Sequence, residues 1–464
     1  MNGLQRTRGS GGRQRRASAR RGVGVLQSLS GAQALIVTAI YVVLLALFGG
    51  GVAGWTPGYM LLCLTTILIA GATTWKTGFE PLNRAPLSGK IAIIGIGVLP
   101  LLQLVPLPPA IWQALPGQEL RESTLALVGL ADTWQPLTLD PAATALSAIL
   151  AVGFVTLMTL LLHVGDAAFS RILDIAVGIV LLGIVLGILQ VVSDGQFPRL
   201  HPINMGAVML GVYANKNHMG LIIACAMVLV GFVTARRITD RGRRRVAVIG
   251  VIVFALVCLI TTNSRAGLVF GVLGAIAVLA GEIRAMSWRY RLAALAVIAV
   301  LAGLVLSTTA FETMSSRFND LDSDLRWQIT TWSMPLARQY TLWGGGAASF
   351  GTLFNASEQL AWVKPTIVNA AHNDYLQLVI EFGLPGVAVL LALVASLAAC
   401  VSAMSSIPHK DFHRSEMLFG FVSLALFALH STIDYPLRRP AAWVFFALAL
   451  AAIYRGRATT RKAT

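Results

Sequence analysis

Apolar stretches of nearly membrane-crossing length recur along the chain, and the short segments between them hold most of its polar residues. Several stretches are shorter than the ~20 residues that a spanning helix needs, but the residues on either side are only weakly polar and extend them to that length. The pattern predicts twelve transmembrane helices, at about residues 35–51, 59–75, 91–105, 145–164, 172–192, 218–234, 246–262, 267–281, 292–309, 384–404, 417–432 and 441–454. We therefore expect an all-α, polytopic membrane helix bundle.

Composition supports a membrane protein and excludes several other classes. Of the 464 residues, 56% are hydrophobic and only 12% are charged, an unusual balance for a water-soluble domain of this size. The four cysteines all fall within apolar stretches, which predicts neither a disulfide nor a metal site. The sequence has no HExxH, GxSxG or P-loop motif, so it gives no support for a protease, a hydrolase or a nucleotide-driven pump.

The basic residues give the chain an orientation. If the arginine-rich N-terminus is cytoplasmic and the spans alternate, 26 of the 36 Lys and Arg residues lie inside, as the positive-inside rule requires. The net charge of +16 is then a cytoplasmic excess, and we expect no nucleic-acid partner. Residues 1–30 are predicted to form a disordered basic tail against anionic membrane lipids, residues 31–455 the transmembrane domain, and residues 456–464 a second basic cytoplasmic tail.

Two of the predicted outside segments are long, at residues 106–144 and 310–371. Loops of this length are usually functional or disordered. The second one contains many aromatic residues, too many for a free linker, and they include Trp327, Trp332, Trp343, Phe350, Phe354 and Trp362. We expect it to fold into short helices that lie on the outer surface of the membrane.

Unusual polar residues gather at the outer ends of four spans. Ionisable groups at membrane depth are costly, so their convergence on one level favours a shared polar cavity over four independent helix caps. The clusters comprise Asn215, Lys216, Asn217 and His218; Ser264 and Arg265; His372, Asn373 and Asp374; and His430, Asp434, Arg438 and Arg439.

A cavity with several cations and few carboxylates suits an anionic ligand, and guanidinium groups bind phosphate oxygens bidentately. Arg265 is the best candidate for that contact, although an arginine at this depth also fits a snorkelling anchor. His372 fits a general base whose ring Asn373 or Asp374 orients. It fits a helix cap equally well, with Asn373 as the capping residue, and the spacing does not decide between them.

The acidic run "NDLDSD" at residues 319–324 invites a metal site, because Asp320, Asp322 and Asp324 alternate as in a calcium loop. The template fails, since Leu325 stands at its glycine position and Thr331 at its glutamate position. A carboxylate pair of the metal-dependent glycosyltransferase kind stays open, but a solvated acidic loop is favoured. We therefore predict no metal ion and no other cofactor.

Seven segments resemble those of one family, and they extend from about Leu101 to Arg455. They include "GVYANKNHMG", "NSRAG", "AHNDYLQLVIEFGLPG" and "HSTIDYPLRRPA", and the most specific is the His-Asn-x-x-Leu-Gln core with its trailing Glu-x-Gly-x-x-Gly. The chain resembles the O-antigen ligase superfamily of bacterial inner-membrane glycosyltransferases. This superfamily includes lipopolysaccharide O-antigen ligases, O-antigen and exopolysaccharide polymerases, and related oligosaccharyltransferases.

The resemblance implies a multi-pass protein of the inner membrane, with about a dozen spans and a large loop and active site facing the periplasm. It implies metal-independent transfer of a glycan from an undecaprenyl diphosphate donor to a hydroxyl of an acceptor, either lipid A core or a growing polysaccharide. Arg265 matches the arginine thought to hold the diphosphate, and His372 the histidine thought to activate the acceptor. Lys216 stands at a position where arginine is frequent. Lysine keeps the positive charge there but cannot bind an anion bidentately. Other recurrent polar positions, whose roles the resemblance does not assign, are Asn215, Asn217, His218, Arg326 and Asp434.

Two other classes compete with a glycosyltransferase. A transporter or channel for a small anion also lines a bundle with polar groups, but the paired broken helices of matching halves are not evident here. A glycolipid-binding anchor or sensor needs a sizeable soluble domain, and the sequence has none. The sequence does not decide between ligase and polymerase, nor does it identify the sugar and its linkage.

Overall fold

The protein is a bundle of long helices with smaller elements at one end. The computed structural model describes residues 29–51, 56–201, 206–283, 288, 292, 325–363, 367–408 and 411–463. In the first half, the helices are α1 (Gly31–Phe48), α2 (Pro57–Thr77), α3 (Leu87–Gln103), α4 (Pro109–Trp112), α5 (Glu119–Leu127), α6 (Pro141–His163), α7 (Asp166–Val192) and α8 (Lys216–Phe232). The second half contains α9 (Arg241–Thr261), α10 (Arg265–Ile283), α11 (Leu325–Tyr340), α12 (Phe350–Ser357), α13 (Asp374–Ser405), α14 (Phe412–His430) and α15 (Pro440–Ala463).

The predicted all-α polytopic bundle is confirmed. Within the described residues, nine helices are long and apolar enough to cross a membrane, namely α1, α2, α6, α7, α8, α9, α13, α14 and α15. The shorter apolar helices α3 and α10 coincide with the third and eighth predicted spans. The ninth predicted span, at residues 292–309, lies outside the described residues apart from an isolated position.

Local sequence explains where the helix ends fall. Asp140 caps α6, accepting a hydrogen bond from the backbone amide of Ala143, and Pro141 occupies the first helical position, where it costs no hydrogen bond. Asn373 caps α13 in the same way, accepting from the amides of Tyr375 and Leu376. These caps set where α6 and α13 begin, at the level where the polar clusters were predicted.

Helices α6, α8 and α15 form the centre of the bundle, and other helices surround them. Small residues allow close approach there. A side chain at Gly420 of α14 would meet the carbonyl oxygen of Ala449 of α15, and a side chain at Gly220 of α8 would meet the backbone of Gly267 of α10. Glycine at these positions therefore fixes how near α14 lies to α15 and how near α8 lies to α10.

The outer segments fold onto the same end of the bundle. Strands β1 (Pro106–Leu107) and β2 (Gln135–Pro136) form a short antiparallel ribbon around α4 and α5. Helices α11 and α12, together with a 3₁₀ turn at Leu360–Trp362, occupy the described part of the long loop. The expectation of short helices in this loop is confirmed for those residues.

Helix α13 is broken near its outer end, at Gly383, whose φ of 58° is a left-handed value that favours glycine. The loop after α11 forms backbone hydrogen bonds with the groups that the break leaves without a helical partner. The amide of Gly345 donates to the carbonyl of Ile380 (2.8 Å), and the amide of Leu384 donates to the carbonyl of Thr341 (2.8 Å). The break separates the first turns of α13 from the predicted span at residues 384–404, and the hydrogen bonds across it tie those turns to the loop after α11.

Candidate active site

A single carboxylate, that of Asp434, lies at the centre of the polar residues at the outer end of the bundle. Asp434 is fully buried in the connection between α14 and α15. Its Oδ2 atom accepts a hydrogen bond from Asn217 Nδ2 (2.7 Å) and a longer one from Asn215 Nδ2 (3.4 Å), and its Oδ1 atom accepts from the backbone amide of Tyr435 (3.0 Å). A buried carboxylate with this many donors is stabilised in its charged form.

The protonation state of Asp434 follows from these surroundings. Burial alone raises the pKa of a carboxyl group, but the imidazole of His372, together with His218, His430 and the positive charge of Arg326, holds the pKa of Asp434 well below its ordinary value. Asp434 is therefore an anion at neutral pH.

Helix α8 reaches Asp434 through its first turn. Asn215 is the N-cap, and its Oδ1 atom accepts a hydrogen bond from the amide of Asn217 (2.8 Å). Asn217 in turn accepts a hydrogen bond at Oδ1 from the hydroxyl of Ser264 (2.8 Å), which also accepts from the amide of Gly267 at the start of α10. One chain of hydrogen bonds thus connects the beginnings of α8 and α10 to Asp434.

His372 lies on the other side of the same carboxylate. Its Nδ1 atom is 3.4 Å from Asp434 Oδ1, and its ring packs edge-on against Tyr435 with centroids 4.9 Å apart. The backbone of His372 is left-handed, with φ 51°, a strained value for a residue other than glycine. Since 20% of the side chain is exposed and Nδ1 faces Asp434, Nε2 is the ring nitrogen available to a ligand.

The side chains of His218 and His430 lie next to this pair and are fully buried. The Nε2 atom of His218 is 4.0 Å from Asp434 Oδ1, and its ring contacts Tyr435 (5.3 Å) and His430 (6.1 Å) edge-on. Within the described residues, neither imidazole has a hydrogen-bond partner. His218 therefore lies beside Asp434 but is shielded from the surface of the protein.

Two further carboxylates, Glu381 and Asp374, bind Arg438 next to this network. Glu381 is fully buried, accepts hydrogen bonds from the amide of Ala348 (3.0 Å) and from Gln377 Nε2 (2.8 Å), and pairs closely with Arg438. Asp374 lies 3.5 Å from Arg438 Nε and accepts hydrogen bonds from the Ser431 hydroxyl and the Leu437 amide. These contacts fasten the outer end of α13 to the segment that carries Asp434.

Two of the predicted cations stand at the start of α8 and α10, the helices that the hydrogen bond between Asn217 and Ser264 joins. Lys216 is the first residue of α8, next to Asn217, and Arg265 is the first residue of α10, next to Ser264. Arg326 belongs to α11, and its charge acts on Asp434. Three helices therefore each contribute a cation, two of them next to residues of the Asp434 hydrogen-bond network and one that acts on Asp434 by its charge.

A cavity of about 680 Å³, here called the groove, opens beside this site between α3, α6, α13 and α15. Asp374, Glu381 and Arg438 line its outer end, which we call its mouth, as do Tyr435 and Arg439. Its deeper walls are apolar and include Leu146, Leu150, Phe154, Leu393, Trp443 and Phe446. The volume lies within the ~300–1,000 Å³ typical of pockets that enclose one organic ligand.

The structure brings together most of the residues singled out in the sequence. Asn215, Asn217, His218, His372 and Asp434 form one network, whereas Asn373 caps α13 through its side-chain oxygen. The carboxylate beside His372 is that of Asp434, and Asp374 binds Ser431, Leu437 and Arg438 instead. Asp320, Asp322 and Asp324 lie outside the described residues.

Sequence reasoning assigned no role to three polar residues. Glu381 and Gln377 on α13 and Gln103 on α3 are all buried and hydrogen-bonded. The Gln103 side chain joins the outer loop to α13, since it accepts from the amide of Ala347 (2.9 Å) and donates to the carbonyl of Glu381 (2.8 Å). An acid in an apolar stretch, such as Glu381, was the available signal, because membrane-depth ionisable groups are rarely incidental.

Comparison with known proteins identifies a related family for part of the chain. Residues 250–391 match the family model described as O-Antigen ligase. The matched region contains Arg265, Arg326, His372 and Glu381, and it ends before Asp434. A search of curated proteins found no match to the chain. The family match confirms the resemblance seen in the sequence motifs and supports a membrane glycosyltransferase-type role in O-antigen biosynthesis.

Proposed function

Taking as premise the O-antigen ligase superfamily, which the match over residues 250–391 supports, we propose that this protein transfers a glycan from undecaprenyl diphosphate to an acceptor hydroxyl. The reaction takes place on the periplasmic side of the bacterial inner membrane, in O-antigen or exopolysaccharide biosynthesis. The acceptor is either lipid A core or another growing chain, and the reaction uses no metal ion.

The observation that carries this proposal is the pairing of His372 with the buried carboxylate of Asp434. A carboxylate on one ring nitrogen fixes the orientation of an imidazole and stabilises its protonated form, which makes the other nitrogen an effective base. Asp434 is itself held by Asn217, so the base is positioned by a separate helix. In this proposal Asp434 is a positioning residue, and His372 is the catalytic one.

The reaction is one displacement at the anomeric carbon. His372 Nε2 takes the proton of the acceptor hydroxyl while the acceptor oxygen forms a bond to that carbon. The bond between the anomeric carbon and the diphosphate oxygen breaks, and the diphosphate leaves with the electron pair. Negative charge therefore grows on the diphosphate in the transition state, and preorganised cations close to it lower the barrier.

Lys216 and Arg265 are the proposed partners of the diphosphate. Each occupies the first turn of a helix, where the positive end of the macrodipole adds to the attraction of the side chain for an anion. A diphosphate placed there would lie at the positive ends of both helices. Arg265 supplies a bidentate contact and Lys216 a point charge. We assign Asn215, Asn217 and His218 to shaping this site, and Arg326 to its positive potential.

Reconstitution of purified full-length protein with a lipid-linked repeat unit tests the function. Longer lipid-linked products indicate a polymerase, and reaction only after addition of lipid A core indicates a ligase. His372→Ala should abolish either reaction while leaving the amount of protein in the membrane unchanged. The absence of transfer with every acceptor would contradict the proposed function.

A further inference from the structure

The groove between α3, α6, α13 and α15 has the shape and chemistry of a site for a hydrocarbon chain. Its α6 wall runs from Asp140 to Phe154, about 20 Å at ~1.5 Å per residue. This is about two thirds of the ~30 Å hydrocarbon core of a bilayer. Most polar residues of the lining lie at the outer end, and the deeper wall is apolar apart from Ser147. A soluble sugar would lose its hydration in such a groove, whereas a lipid chain would not.

The mouth of the groove leads to His372. Ala370 lines it, two residues before His372, and so does Tyr435, whose ring packs against the His372 imidazole. A ligand with its chain in the groove would therefore present its polar part next to the proposed base.

The groove also lies on a different side of the site from the proposed diphosphate partners. Its walls include no residue of α8 or α10, the helices that begin with Lys216 and Arg265. The segment carrying Asp434 and Tyr435 stands between them, since Asp434 bonds Asn217 of α8 while Tyr435 faces the groove. A transfer reaction needs two substrates, and the two sides of this segment offer one place for each.

We propose that the groove binds the single polyisoprenoid chain of the acceptor, so that the acceptor is a second polyprenyl-linked glycan and the enzyme elongates lipid-linked chains. This inference rests on the proposed function and deepens it. A volume of about 680 Å³ suits part of one chain, and it is too small for the several acyl chains of lipid A.

The two arginines at the mouth differ in their partners. Arg438 is paired with Glu381 and Asp374, so its charge is already compensated. Arg439 contacts neutral groups, since it donates to the carbonyl of Gly51 (3.0 Å) and lies over the ring of Tyr435. Its positive charge suits the diphosphate of an acceptor, which does not react and is separated from the attacking hydroxyl by the sugar unit.

Photolabelling tests this inference without requiring turnover. Full-length protein in phospholipid nanodiscs is incubated with undecaprenyl phosphate that carries a diazirine near its phosphate end, and labelled peptides are identified by mass spectrometry. We expect label on α3, α6 and α13. Leu146→Trp and Leu393→Trp, which fill the groove, should each lower that label about ten-fold, or about 1.4 kcal/mol in binding. Leu181→Trp is the matched control, because Leu181 lies on the outer face of α7 and is 49% exposed. This substitution should leave the groove label unchanged.

Competition and one further variant identify which substrate occupies the groove. Unlabelled undecaprenyl phosphate should displace the groove label, and lipid A should not. Arg265→Ala should leave the groove label in place, because Arg265 belongs to the donor side. Displacement by lipid A, or loss of groove label in Arg265→Ala, would overturn the acceptor assignment. Absence of groove label in protein that still transfers glycan would overturn this inference alone, and groove label without any transfer would count against the proposed function instead.

Discussion

The Nδ1 atom of His372 lies 3.4 Å from the Oδ1 atom of Asp434, a residue that belongs to a different helix connection and is fully buried. Asn217 of α8 holds the second oxygen of the same carboxylate at 2.7 Å. Three segments far apart in the chain therefore meet at one carboxylate, which faces the Nδ1 atom of the His372 ring.

Asp434→Asn should lower kcat for glycan transfer by about 10²-fold or more, the scale of a general-base contribution, with little change in KM. The amide keeps the shape of the side chain but removes the charge that stabilises protonated His372. The measurement is the rate of lipid-linked product formation at several acceptor concentrations.

Asp132→Asn, at an exposed position of the outer segment before α6, is the matched control and should retain full activity. If Asp434→Asn raised KM alone, the carboxylate would bind substrate and would not position His372. Equal losses of activity and of thermal stability would point to a structural role only.

Arg265→Ala should reduce transfer by at least about 10²-fold, and Arg265→Lys should recover only part of that loss, because lysine supplies charge without a bidentate contact. Product formation by equal amounts of membrane-extracted protein measures both. Arg338→Ala, which removes an exposed arginine of α11, serves as the control. Full activity in Arg265→Lys would show that charge alone suffices.

Transfer should survive EDTA, since the proposed reaction uses cationic side chains where other glycosyltransferases use a metal ion. The test is product formation by enzyme dialysed against EDTA, with and without added manganese. Activity that EDTA removes and manganese restores would make Asp320, Asp322 and Asp324 candidate ligands again.

Glu381→Ala should destabilise the protein by about 3–5 kcal/mol, because it removes the partner of Arg438 and a buried acceptor of the Ala348 amide. Thermal unfolding in detergent measures the effect. Arg237→Ala breaks an ion pair with Asp174 that is about 40% exposed on both sides, so it should cost about 0–1 kcal/mol. Similar losses in the two variants would mean that Arg438 finds compensation elsewhere.

Ser123→Cys and Thr239→Cys should be labelled from opposite sides of the membrane. Both positions are exposed, Ser123 on α5 and Thr239 in the arginine-rich connection between α8 and α9. The four native cysteines are buried and are replaced beforehand. With an impermeant thiol reagent added outside, only Ser123→Cys should react. Reaction at both positions would contradict the twelve-span arrangement and the periplasmic placement of the site.

The sequence by itself determined the class of fold and the level of the site. Stretches such as residues 145–164 and 172–192 are apolar almost throughout, and in a bilayer such a stretch must satisfy its own backbone hydrogen bonds, so it forms a helix whatever its neighbours are. The distribution of basic residues also predicts the orientation of the bundle without reference to its packing. Polar residues at span ends, such as Asn217 and His372, then fall at one level without any knowledge of how the helices pack.

Only the tertiary structure decided which of those residues touch. The sequence offered Asn373 and Asp374 as neighbours that orient His372, because they are adjacent in the chain. The fold uses Asn373 as a cap and pairs Asp374 with Arg438, and it brings Asp434 to His372 instead. That choice depends on the rotation and spacing of α8, α13 and α15, which close contacts such as that between Gly220 and Gly267 set. The groove has the same origin, since its walls come from four helices whose sequences specify apolar faces but not which helices lie side by side.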